Sequence, residues 1–89
     1  MDKKILLEEV KRLKEYFRFN NGFICNHISK DLPYGYYDYI RDWLWERKTM
    51  STNRREGSYF YNSRERCEVL GIFERELGLE IREEIMLIL

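Results

Sequence analysis

The chain has 89 residues, with sixteen basic and sixteen acidic side chains and a formal net charge of zero. This length fits one domain, 1–89, whose folding buries roughly 60–65% of the surface of the unfolded chain. The zero net charge argues against a general attraction to nucleic acid or membranes, and no apolar run approaches the roughly 18 residues of a membrane-spanning helix.

The first predicted helix covers residues 3–19. Asp2 is its predicted N-cap, and Asn20-Asn21-Gly22 ends it. A short helix or helical turn follows at 23–28, and then a loop at 30–35. Apolar residues of the first helix recur at steps of four, three and four and therefore share one face. They are Leu6, Val10, Leu13 and Phe17.

The third predicted helix runs from Tyr36 to about Lys48 and carries a dense aromatic block. At about 100° per residue, most of its rings share one face, which we assign to the core. Trp45 projects from the opposite side and is a candidate interface residue. The residues of the core face are Tyr36, Tyr39, Ile40, Trp43 and Leu44, with Tyr37 at the edge.

A basic loop is predicted from Thr49 to Gly57, and Asn62 or Ser63 is the predicted N-cap of a fourth helix. Gly78 is its predicted C′ stop, and a last short helix follows. The apolar face of the fourth helix contains Val69, Leu70, Phe73 and Leu77, and that of the last helix contains Ile81, Ile85 and Ile88.

These patterns predict an all-α protein, a compact bundle of four to five short helices, with a short hairpin within residues 49–62 as an alternative. The final turn is apolar on nearly every side. Because such a turn stays partly exposed to solvent in a monomer, we expect a homo-oligomer. The candidate interface residues are Trp45, Met86, Leu87 and Leu89.

Other residue clusters favour structural roles over chemistry. The chain offers only Cys25, His27 and Cys67 as Cys or His ligands, whereas structural zinc takes about four. We therefore predict no metal site and no cofactor. Paired carboxylates such as Glu8-Glu9 are expected to be solvated helix positions, and no enzyme signature is present. We predict a protein that is not an enzyme.

The two cysteines also bear on location. The start Met-Asp-Lys-Lys passes directly into an amphipathic pattern, without the apolar stretch of a signal peptide. A cytoplasmic, reduced protein is expected, in which Cys25 and Cys67 pack as small apolar side chains rather than forming a disulfide.

A basic segment bracketed by aromatic residues is the strongest candidate for binding. Between Arg47 and Arg66 there are six basic residues and two acidic ones. Guanidinium groups match phosphate oxygens, and aromatic faces stack on bases. The alternative is a solvated loop whose arginines pair with the acidic C-terminal helices. The candidate ligand-binding residues are Arg47, Lys48, Arg54, Arg55, Tyr59, Tyr61 and Arg64.

Two stretches carry a resemblance. They are Gly22-Phe23-Ile24-Cys25, and Tyr59-Phe60-Tyr61-Asn62 followed by Arg66-Cys67-Glu68-Val69-Leu70. In these stretches the chain resembles small uncharacterised accessory proteins of tailed phages. The resemblance implies a product that acts by binding something of the host.

Three functional hypotheses follow. The first is a non-enzymatic homo-oligomer that masks a host protein or sequesters a small anionic, nucleotide-like signal of host defence. The second is a sequence-tolerant nucleic-acid-binding protein that uses the basic aromatic segment 45–66. The third is a structural subunit of the virion.

Overall fold

The computed structural model describes residues 1–48 and 63–88, except the side chains of Arg47, Lys48, Ser63 and Ile88. Within these ranges the chain forms four helices and no strand, which confirms the all-α prediction. The hairpin alternative falls on residues 49–62 and lies outside the described part. None of the helices in the described ranges is both long and apolar enough to cross a membrane. The helices are α1 (Lys3–Phe17), α2 (Ile24–His27), α3 (Tyr36–Lys48) and α4 (Ser63–Ile88).

Helix α1 forms as its apolar period predicts. The side chain of Asp2 accepts a hydrogen bond from the backbone N–H of Lys4 at 2.9 Å and so caps the first turn. The predicted apolar face is completely buried. The helix ends at Phe17, two residues before the predicted boundary.

Helix α4 packs antiparallel along α1. Near the start of α1, the Lys3 ammonium lies 3.4 Å from Glu80 and 2.8 Å from Glu84, which belong to the last turns of α4. Further along α1, Lys14 pairs with Glu74 at 2.6 Å. Between the two helices, the buried face of α1 meets a matching face of α4, which consists of Val69, Leu70, Phe73 and Leu77.

Helix α3 completes the core with its aromatic face. Trp43 stacks on Phe73, with the ring centroids 4.0 Å apart, and its Nε1–H donates to Glu76 at 3.3 Å. The hydroxyl oxygen of Tyr36 accepts a hydrogen bond from the N–H of Asp2 at 2.6 Å. These contacts account for the aromatic face by packing, with the polar tips of Tyr36 and Trp43 bonded inside the fold. Trp45 is 47% exposed, on the side that the helical period predicts.

The predicted helix stop at Gly78 is wrong, because α4 continues through it to Ile88 as one helix of 26 residues. A glycine stop needs a left-handed backbone. In the described part, only Gly22 and Gly35 have positive φ angles. The continuation is held by Leu77, which is buried, and by the pairing of Glu80 and Glu84 with Lys3.

Glu9 is not the solvated residue that its position beside Glu8 predicts, since it is only 6% exposed. Its carboxylate accepts hydrogen bonds from the Nε and Nη2 atoms of Arg12 and from the backbone N–H of Ser29 at 2.8 Å. Arg12 also donates to the carbonyl oxygen of His27 at 2.6 Å. Hydrogen bonds to Glu9 raise the pKa of Arg12 above its usual value. This network fastens the segment after α2 to the middle of α1.

Arg66, at the end of the basic segment, also faces the interior and is 5% exposed. Its guanidinium carbon lies 5.1 Å from the centroid of the Phe17 ring, and its Nη2 atom donates to Asn21 at 3.0 Å. A cation over an aromatic face stabilises this end of the α1–α4 pair. Arg66 therefore contributes nothing to a basic surface.

Replacement of Glu9 by alanine is expected to lower the free energy of unfolding by about 1–3 kcal/mol, because the half-buried N–H of Ser29 and the Arg12 guanidinium lose their acceptor. Urea denaturation followed by circular dichroism measures this change. The matched control is Glu8→Ala, one residue away and exposed, which should change stability by no more than about 0.5 kcal/mol. Equal effects of the two substitutions would refute the network.

Replacement of Gly78 by alanine is expected to raise the free energy of unfolding by about 1 kcal/mol, the difference between the two residues in a helix interior. An added Cβ meets no atom of the described residues within 4 Å. The control is Gly22→Ala, which should destabilise, because Gly22 has φ +128° and an added Cβ would lie 2.9 Å from Nε2 of His27. Thermal unfolding of both variants checks the pair, and a destabilised Gly78→Ala protein would indicate a helix end at that residue.

Candidate ligand-binding site

The basic segment predicted to bind ligand lies largely outside the described residues. Arg47 and Lys48 belong to the last turn of α3, but their side chains are not described. Arg64 is the one predicted ligand residue whose side chain is placed, on the exposed first turn of α4. The predicted residues outside the described part are Arg54, Arg55, Tyr59 and Tyr61.

The predicted interface residues that are described all reach solvent. Met86 is 73% exposed and Leu87 is 85% exposed. Together with Trp45, they are large apolar side chains that the core leaves uncovered. Leu89 lies outside the described residues. A role in an interface stays a prediction for all four.

Arg64 lines a cleft of about 450 Å³ between α1 and α4. The antiparallel packing brings the end of α1 beside the start of α4, and it therefore joins side chains that are about 50 residues apart in sequence. Lys14 on α1 and Arg18, the C-cap residue of that helix, are one helical turn apart and lie on the same side. The lining residues are Lys14, Arg18, Arg64, Cys67 and Glu68.

The cleft holds three cations and one carboxylate, and each cation has an acidic neighbour. The pairs are Lys14 with Glu74 at 2.6 Å, Arg18 with Glu15 at 3.2 Å and Arg64 with Glu68 at 3.5 Å. The ion pairs of Arg18 and Arg64 are exposed to solvent. Exposed ion pairs contribute only about 0–1 kcal/mol each to stability. An arriving anion can therefore replace these carboxylates at small cost. The Arg64–Glu68 pair also agrees with the alternative in which the arginines only pair with acidic residues of the C-terminal region.

The two cysteines lie in different surroundings and are not joined to each other by a disulfide. Cys67 is half-buried in the cleft, where its sulfur lies 3.9 Å from the carbonyl oxygen of Lys14. Cys25 lines a separate cleft of about 570 Å³, together with Ser29 and Tyr37. Cys67 is thus a natural reporter for the basic cleft, and Cys25 is an internal reference.

His27 packs as an aromatic ring. Its centroid lies 4.6 Å from that of Tyr16 and 5.3 Å from that of Phe17. Among the residues that the structure describes, no three His, Cys, Asp or Glu side chains group closely enough to hold a metal ion.

The sequence prediction missed Lys14 and Arg18 because it searched for cations along one continuous segment. A signal was present in the spacing of Lys11, Lys14 and Arg18, which places three cations along one side of α1. The spacing could not show that α4 packs on that side of α1.

Comparison of the chain with protein-family models, with curated proteins and with solved structures finds no significant match.

Proposed function

We propose that this protein acts by occupancy and captures a small phosphate-bearing, nucleotide-like anion in the cleft between α1 and α4. One observation carries the proposal. Two regions that are distant in sequence bring three cations, Lys14, Arg18 and Arg64, to the lining of one cleft, in which Glu68 is the single carboxylate among the lining residues. The Lys14 ammonium is shared with Glu74, which lies 2.6 Å away outside this lining.

The residue types suit a phosphate ligand. The two guanidinium groups can each donate a pair of parallel hydrogen bonds to phosphate oxygens, while the lysine ammonium supplies a point charge. The cleft, of about 450 Å³, has room for a small molecule, and it is a shallow depression open to solvent rather than an enclosed cavity. Recognition of a base by Tyr59 and Tyr61 stays a prediction, because both residues lie outside the described part.

The proposal assigns binding and not catalysis to these groups. The thiol of Cys67 has a backbone carbonyl as its neighbour, whereas a nucleophile is activated by a nearby base. In the phage setting that the resemblance implies, the captured anion would be a nucleotide signal of host defence, which the protein would hold away from its receptor.

Occupation of the cleft is expected to slow the modification of Cys67 by N-ethylmaleimide and to leave Cys25 unchanged. The test adds ATP or inorganic pyrophosphate and measures labelling of each cysteine by peptide mass spectrometry. Protection of Cys67 alone supports the proposal. Equal protection of both cysteines, or of neither, contradicts it.

Arg64→Ala is expected to weaken the binding of ATP by about tenfold or more, because a hydrogen bond to a charged group contributes about 1.5–3 kcal/mol. Titration calorimetry measures the change. The matched control is Arg41→Ala on α3, an exposed arginine that pairs with Asp38 and Asp42 away from the cleft. Equal losses would indicate unspecific charge attraction.

The same titration with a single-stranded oligonucleotide distinguishes the nucleic-acid alternative. That alternative predicts tighter binding than to ATP and a steep fall in affinity with rising salt.

A further inference from the structure

The outer side of α4 carries an apolar stripe that the fold does not use. Ile72, Leu79 and Met86 recur every seven residues and are 36%, 53% and 73% exposed. They lie opposite the buried face of the same helix, where Leu70 and Leu77 belong to the core. A helix with apolar residues on two opposite sides has a second surface to cover.

Charges of opposite sign flank the stripe. Arginines follow the first two stripe residues by three positions, at Arg75 and Arg82, and glutamates follow by four, at Glu76 and Glu83. A rotation of about 100° per residue places the arginines on one side of the stripe and the glutamates on the other. The surface is therefore divided lengthwise into a positive, an apolar and a negative strip.

Of the charges beside the stripe, Glu76 accepts a hydrogen bond from Trp43 at 3.3 Å, whereas the other three are not paired within the described part of the fold. Neither Arg75 nor Arg82 has a carboxylate three or four positions away on the helix, where glycine and apolar residues stand instead. In the described part of the chain, Arg75, Arg82 and Glu83 form no ion pair. Other exposed arginines, such as Arg18 and Arg41, are paired.

We propose that a second copy of this chain covers the stripe, so that two α4 helices run parallel about a two-fold axis. In a parallel two-fold pair, the arginine side of each helix meets the glutamate side of the other. In an antiparallel pair, like charges would meet. The charge pattern of α4 is thus complementary to a second copy of itself only in the parallel orientation. Charged residues beside the apolar seam set the orientation of coiled coils in the same way.

The surface beside the arginines can receive the partner. There α1 and α4 border a groove of about 830 Å³ whose lining includes Gly71, Arg75, Gly78 and Arg82. At both glycines an added Cβ would meet no atom of the described residues within 4 Å. The partner's glutamate side chains can therefore approach this side of the helix closely.

The stripe is short. Glu65 occupies the position seven residues before Ile72, so the apolar pattern spans two heptads and ends before the cleft at Arg64 and Cys67. An interface of this size is typical of weak association, with a dissociation constant of about micromolar order. Leu87, although more exposed than any stripe residue, lies to one side of it.

Sedimentation equilibrium tests the proposal. Wild-type protein should dimerise reversibly with concentration, and Leu79→Lys should weaken the dimer by about tenfold or more, because it places an ammonium in the apolar seam. Leu87→Lys is the matched control. The proposed interface omits Leu87, in contrast to the sequence-based prediction for that residue, so this variant should dimerise as wild type does. Both positions are exposed, and thermal unfolding checks that each variant folds. A wild-type chain that stays monomeric at millimolar concentration, or equal losses in the two variants, would overturn the proposal.

Disulfide cross-linking tests the orientation. A parallel pair places the two Met86 positions opposite each other, so Met86→Cys should form an intermolecular disulfide rapidly under mild oxidation. Peptide mapping separates this product from those of Cys25 and Cys67, and Leu87→Cys is the off-stripe control. Dimers that cross-link no faster through position 86 than through position 87 would rule out the parallel arrangement.

Discussion

The antiparallel packing of α1 on α4 is the contact on which the rest of the molecule depends. At one end it is fixed by Lys3, whose ammonium reaches Glu80 and Glu84. At the other end the Arg66 guanidinium lies over Phe17. Between these ends the helices pack through apolar side chains, which stabilise the pair by removing apolar surface from water. The polar contacts at the ends fix which residues of the two helices lie opposite each other. This alignment places the end of α1 beside the start of α4, and it turns the opposite side of α4 outward.

Helices whose signals are local were predictable from the sequence. For α3, both boundaries and the separation of Trp45 from the core face follow from the period of its aromatic residues, and the Asp2 cap of α1 follows from residue type. In each case the deciding interaction lies within a few positions along the chain. Helical period also says which side is buried, although not what buries it.

Interactions between distant residues account for what could not be predicted. Nothing near Glu9 in sequence indicates that the N–H of Ser29 arrives at its carboxylate from twenty residues away. The helix continues past Gly78 with Leu77 buried in the core and with Lys3, from the other end of the chain, paired to the turns that follow. For Arg66 a signal existed, since it lies four residues before Leu70 on the apolar face of α4, and only its charge argued for the surface. The cleft was half predictable: Arg64 was found, whereas Lys14 and Arg18 become its neighbours only through tertiary packing.

The two proposed surfaces are centred on different halves of α4, and Ile72 at the near end of the stripe lies five residues after Cys67. Cys67 in the cleft and Leu79 in the stripe are twelve residues apart, which is about 18 Å along a helix. A continuous helix keeps that spacing fixed, so covering the stripe need not close the cleft. In a parallel pair, both clefts would lie at the same end of the two helices but on opposite sides of the dimer, because each cleft lies on the arginine side of its own α4. An antiparallel pair would place the clefts at opposite ends. In both orientations the two clefts stay separate, so capture by one copy does not depend on a ligand shared with the other.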